Sequence, residues 1–309
     1  MSARHFALLL ALAFGCGHAW AFGPAAHVYI VRKIAGDTWP QAAFGATLPD
    51  MGRFGVTEAI QSRTANLTHS EWELMGATPF GMGFITHNGE WGADWYVHCH
   101  HQGYENTYMT MRMRAMVNEF GITMLEAEDI LDGVVDYLVG TEQAPDLGLL
   151  LKRGAELYGP AEEQQVVDAY AQPLADGVAG LSLEQAEAEL RAMGQQYRTV
   201  MQVYGQQLAT ADGVTVRGVL VQGLAAYLGE DLATVDAYVS WGEEMCWDYE
   251  VELDHIVVAI EEELEATPFQ LPLATGCGVV AGLLLGGLGV WRIRRPLAGA
   301  PRECRSGGL

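Results

Sequence analysis

The chain has 309 residues, half of them hydrophobic, with 39 acidic against 17 basic side chains and a formal net charge of −22. Such an excess of carboxylates repels nucleic acid and anionic membrane surfaces at long range, which argues against a polyanionic partner. Five cysteines are too few for a disulfide scaffold.

Residues 1–21 read as a secretory signal peptide. Arg4 supplies a short basic region, Phe6 to Phe14 an apolar core too short to span a bilayer comfortably, and Ala19-Trp20-Ala21 a small-x-small cleavage site. Cleavage after Ala21 would make Phe22 the mature amino terminus. A lipoprotein cut before Cys16 is the competing reading, against which Ala13-Phe14-Gly15-Cys16 makes a poor lipobox.

The segment 22–270 holds 38 of the acids and 11 of the Lys and Arg, a formal −27. Its length fits one domain, or one domain with a helical extension. Strand-like alternation is scarce, and the periodicity predicts helices over Ala26–Ile34, Thr86–His101, Tyr108–Phe120, Leu125–Val139, Ala161–Leu174, Ser182–Gln207, Thr215–Leu228 and Leu232–Leu264. Thr123 with Glu126, and Ser182 with Gln185, have the spacing of capping boxes. Arg53 to Phe80, which carries His69, lacks a helical pattern and is expected to be a long loop. The expected fold is all-α.

Six of the nine histidines fall between His27 and His101. On the continuous helix expected over Thr86–His101, His87, Asp94 and His98 share one face at i, i+7 and i+11. Imidazoles and carboxylates offered to one point suit a borderline-soft divalent ion, and zinc leads. After Gly140 the only histidine is His255, so 22–140 is expected to carry the chemistry and 141–268 to act as scaffold. The Met109, Met111, Met113 and Met116 run is expected in the core or on an apolar rim. Trp91, Trp95 and Tyr96 are expected to pack rather than stack on substrate. Cys99 and Cys246 lie in the domain, open to a mutual disulfide, with Cys99 as a metal thiolate the other reading.

Leu271 to Trp291 is an uncharged run of twenty-one residues followed by Arg292, Arg294 and Arg295. It reads as a transmembrane helix with 292–309 as a basic cytoplasmic tail, since about twenty apolar residues cover the hydrocarbon core and cations stay inside. The Thr275-Gly276-Cys277 start also resembles bacterial C-terminal sorting tags that are later processed. The main domain is then exported and membrane-anchored.

Taken as an ordered set, Phe22-Gly23-Pro24-Ala25-Ala26-His27, Pro49-Asp50, His69, and His87, Asp94 and His98 resemble the zinc-dependent phospholipase C family. That family shares its helical fold with single-strand-specific zinc nucleases. The resemblance covers roughly Phe22 to Val139 and implies two or three Zn²⁺ ions. Carried over, the amino group and carbonyl of Phe22 bind one zinc with His27. Asp50 is ligand and general base, and His69, His87, Asp94 and His98 are further ligands. The family's closing His-x-x-x-Glu has no counterpart. Glu128 and Asp132, with Asp136 on the same helical face, are candidates to replace it, as are His100 and His101. His87 and Asp94 also stand seven residues apart where the family usually has four. The implied activity is hydrolysis of phospholipid head groups by a metal-activated water, with phospholipid and membrane as partners and no nucleic acid. A zinc nuclease of the same fold, or an inactive metal-stabilised surface module, are the alternatives.

Overall fold

Prolines and short polar side chains decide where the helices start. Pro24, Pro40, Pro79 and Pro160 each open a helix, where the missing N–H is not needed and the fixed φ helps. The computed structural model describes residues 23–37, 39–98, 107–143 and 146–266, and among them every regular element is helical. In chain order these are α1 Pro24–Ala35, α2 Pro40–Gly45, a 3-10 helix Leu48–Phe54, α3 Glu58–Ser70, α4 Pro79–His87, α5 Ala93–His98, α6 Tyr108–Phe120 and α7 Met124–Leu138. There follow α8 Leu147–Leu157, α9 Pro160–Gly177, α10 Leu183–Thr210, α11 Gly213–Leu228, α12 Leu232–Met245 and α13 Tyr249–Ala266. The all-α expectation holds. No helix among the described residues is long and apolar enough to cross a membrane, and the apolar run 271–291 lies outside them, as do the signal segment and Cys99.

Both capping boxes form. Thr123 Oγ1 accepts from Glu126 N at 3.2 Å while Glu126 Oε2 accepts from Thr123 N at 2.7 Å. Ser182 and Gln185 repeat the exchange at 3.2 and 2.9 Å. Such caps are each worth ~1 kcal/mol.

Three expectations are corrected. Arg53 to Phe80 is not a loop, since it ends the 3-10 helix and forms α3. The buried stripe of α3 is Ile60, Thr64, Leu67 and Thr68, so half of it is threonine. Thr68 satisfies its hydroxyl on Pro49 O at 2.9 Å and Thr64 O at 3.0 Å, which lets a polar residue serve as core and conceals the period. Thr86–His101 is not one helix, because the chain leaves α4 at Asn88 and re-enters as α5 at Ala93. Leu232–Leu264 is two helices joined by a turn at Cys246–Asp248.

Helix α7 runs through the middle. Ala127, Ile130, Leu131, Val134 and Val135 are buried on it, and so are Glu128, Asp129, Asp132 and Asp136. Helix α10 packs along α8 and α9, and α8 packs on α2. Residues on either side of 140 therefore belong to one packed unit. Met109, Met113 and Met116 are buried in it, while Met111 is exposed.

Cys246 is a free thiol, fully buried at the α12–α13 turn, and burial pushes its pKa up to about 12. Thiolate is the reactive form. Cys246 is therefore expected to stay unmodified by iodoacetamide at pH 8 in the folded protein and to label fully in denaturant. Peptide mapping that finds it labelled in the native state would contradict this packing.

Candidate metal centre

Five helical elements bring the ligands together. Helix α1 carries His27, the 3-10 helix Asp50, α3 His69, α4 His87 and α5 Asp94. His27, Asp50, His87 and Asp94 are buried, and the His69 side chain is 20% exposed. Two triads result: His27, Asp50 and His87, and His69, His87 and Asp94, each with one ligand atom per residue and all such atoms within 4.8 Å of one another. Buried His and Asp clusters of this kind can hold metal ions.

Hydrogen bonds on the far side of each ring set the lone pairs. His87 Nδ1 lies 2.8 Å from Ala46 O, and His69 Nδ1 lies 2.7 Å from Ala65 O. A carbonyl only accepts, so in the neutral rings each Nδ1 is the N–H and each Nε2 presents a lone pair. A carbonyl holding the far nitrogen in this way fixes the tautomer and orientation of a metal-binding histidine. The two Nε2 atoms face each other at 3.1 Å, where two lone pairs repel unless a cation lies against them. His27 stacks on His87 with ring centroids 4.1 Å apart, and His69 stands nearly perpendicular to His87.

Asp50 sits between the triads. Its Oδ1 is 3.8 Å from His69 Nε2 and 4.0 Å from His87 Nε2, and its buried Oδ2 has no hydrogen-bond partner. A buried carboxylate oxygen without a donor is costly, by ~1–3 kcal/mol or more when charged, so the donor set fits a cation. Only one nitrogen of His87 faces the cluster, and one lone pair binds one ion. With two ions present, Asp50 is thus the residue placed to serve both.

The expected ligands divide as follows. The structure brings together His27, Asp50, His69, His87 and Asp94. Phe22, His100 and His101 lie outside the described residues, as does the side chain of His98. Glu128 and Asp132 belong to neither triad. Asp132 is fully buried with no hydrogen-bond partner on either oxygen, and its pKa is pushed well up by burial and then by Glu128, Asp129 and Asp94, with Arg53 opposing. It also lines a cleft of about 750 Å³, open mouth included, with Asp136, Val200, Met201, Val219 and Leu220.

Two residues take supporting roles that the sequence did not suggest, one of them Asp136, which was a candidate ligand. Asp136 accepts at Oδ1 from Ala25 N at 2.5 Å and Ala26 N at 3.0 Å and at Oδ2 from the Tyr204 hydroxyl. It caps the start of α1, which has no side-chain cap of its own, and so fixes His27 one turn on. Burial raises its pKa to about 6 against those three hydrogen bonds. Arg53 is also buried, with Nη2 3.7 Å from Asp50 Oδ1. The only sequence signal was spacing: Arg53 stands one helical turn beyond Asp50, and Asp136 one turn beyond Asp132. Trp91 packs edge-on against Trp72 with centroids 5.0 Å apart, as a packing residue should.

Compared with models of protein families, with curated proteins and with solved structures, the chain finds no match.

Proposed function

We propose that the protein is a zinc-dependent phosphodiesterase of the phospholipase C type, acting on phospholipid head groups from the extracytoplasmic side of the membrane that its C-terminal helix anchors it to. The observation that carries this reading is the pair of overlapping His and Asp triads with two oriented imidazole lone pairs. Mixed imidazole and carboxylate donors suit zinc. His27, Asp50 and His87 would hold one ion and His69 and Asp94 another, with Asp50 Oδ1 near the ligand nitrogens of both His87 and His69. Such ions supply a nucleophile at neutral pH by acidifying water and draw charge from the phosphate oxygens.

The chain's own groups do the rest. Asp50 Oδ2, without a hydrogen-bond donor, takes the proton of the attacking water. The Arg53 guanidinium beside it is a fixed cation for an anionic phosphoryl group. The tethered position and the formal −27 of residues 22–270 favour a lipid head group over a polynucleotide.

The reading is tested on the purified full chain by metal analysis and by hydrolysis assays on phosphatidylcholine vesicles and on single-stranded DNA. Two zinc ions per chain, release of phosphocholine, and loss of both activity and thermal stability in chelator are the expected results. Cleavage of DNA alone would replace the substrate assignment. Two bound ions with no hydrolysis of either would make the domain a metal-stabilised module instead.

A further inference from the structure

The eight residues from His87 to Asp94 contain a non-helical stretch built around one densely hydrogen-bonded side chain. Asn88 is fully buried. Its Nδ2 donates to Ile85 O at 2.7 Å, closing the last turn of α4. Its Oδ1 accepts from three consecutive backbone groups, Glu90 N, Trp91 N and Gly92 N, at 2.8, 2.9 and 3.2 Å. Its own carbonyl accepts from Trp95 N at 3.3 Å, inside the first turn of α5. One side chain thus ends the helix that carries His87 and starts the one that carries Asp94.

The turn is fixed on its other sides as well. Gly89 N donates to His69 O at 2.9 Å, tying it to α3. A Cβ on Gly89 would stand 3.1 Å from Asp94 Oδ2, and one on Gly92 would stand 2.5 Å from Asn88 N, so the turn closes only with glycine at 92 and tolerates little at 89. Trp72 Nε1 reaches Glu90 Oε2 at 3.3 Å. An uninterrupted helix would carry Asp94 about 10 Å along the axis from His87 at 1.5 Å per residue. Folded back at Asn88, the two offer ligand atoms within 4.8 Å.

We propose that Asn88 is a positioning residue: it folds residues 88–92 into a bracket that holds Asp94 against His69 and His87 and so builds the second ion's site, leaving the first to His27, Asp50 and His87. The proposal rests on the two-ion reading above. It assigns Asn88 no contact with substrate or metal.

Asn88→Ala removes the acceptor for three N–H groups and frees Asp94. The expected result is a roughly 10–100-fold weaker second ion, the range typical when a group that orients a ligand is lost, with the first ion retained. Asn88→Asp keeps the acceptor oxygen but opposes an oxygen to Ile85 O, so it should melt earlier and still bind two ions. Gly92→Ala leaves Asn88 intact but forces the bracket open, and should weaken the same single ion. Zinc per chain after dialysis and stepwise Co²⁺ titration followed by visible absorption read each ion separately, beside thermal melting.

Two ions bound at wild-type affinity by Asn88→Ala would overturn the proposal. So would metal loss from both sites in proportion to melting temperature across all three variants, since that is what a merely structural residue would give. A wild-type chain that binds no second ion overturns the two-ion reading itself, and the two failures are thereby distinct.

Discussion

Asp50→Asn is expected to lower phosphodiester hydrolysis by about 10²–10⁴-fold, the contribution of a positioned proton acceptor. Three observations combine at this residue. Asp50 belongs to the first triad, its Oδ1 stands about equally far from His69 and His87, and its Oδ2 is buried without a donor. The amide keeps one oxygen for a metal ion but replaces the second with a donor that cannot take a proton. It also removes a negative charge 3.7 Å from the buried Arg53 guanidinium. Turnover of bis(p-nitrophenyl) phosphate, with zinc measured on the same sample, separates the two roles. Activity should fall far more than metal content, and unchanged turnover would remove Asp50 from the chemistry.

His87→Ala should cost more metal than His69→Ala. His87 is the one residue common to both triads. Its ring also stacks on His27 and faces His69, so removal frees both neighbours as well as deleting a donor. The vacated volume is fully buried and leaves Ala46 O without the N–H it accepts, a further ~1–3 kcal/mol of stability. His69→Ala is the control, because it touches the second triad alone. Zinc per chain should rank wild type above His69→Ala above His87→Ala. Equal retention by the two variants would mean that His87 organises nothing beyond the one ion it ligates.

The residue types of the centre were legible in the sequence because imidazole and carboxylate declare their chemistry wherever they stand. His27, Asp50, His69, His87 and Asp94 were all candidates before any geometry. Their arrangement was not legible. The helical face drawn through His87, Asp94 and His98 assumed a continuous helix, and Asn88-Gly89 is a turn signal lying inside that run. Buried Asn88 accepts hydrogen bonds from the backbone and so competes with the helix it interrupts, a local effect that hydrophobic periodicity does not register. Helix α3 was hidden for the opposite reason, since Thr64 and Thr68 fill core positions that a search for apolar residues passes over. The link from Asp136 to α1 joins groups 110 and 111 positions apart, which no window along the chain can show.

That link has a consequence for how the molecule is made. Every ligand of the two triads lies between residues 27 and 94, early in the chain. The group that anchors the His27 helix comes from residue 136, and its own anchor from Tyr204. A nascent chain therefore displays the His and Asp side chains of both triads long before it can hold them in place. Contacts between distant positions form late, because the loop between them must close first. The centre is completed by the C-terminal half, and a half-emerged chain presents ligands without a site.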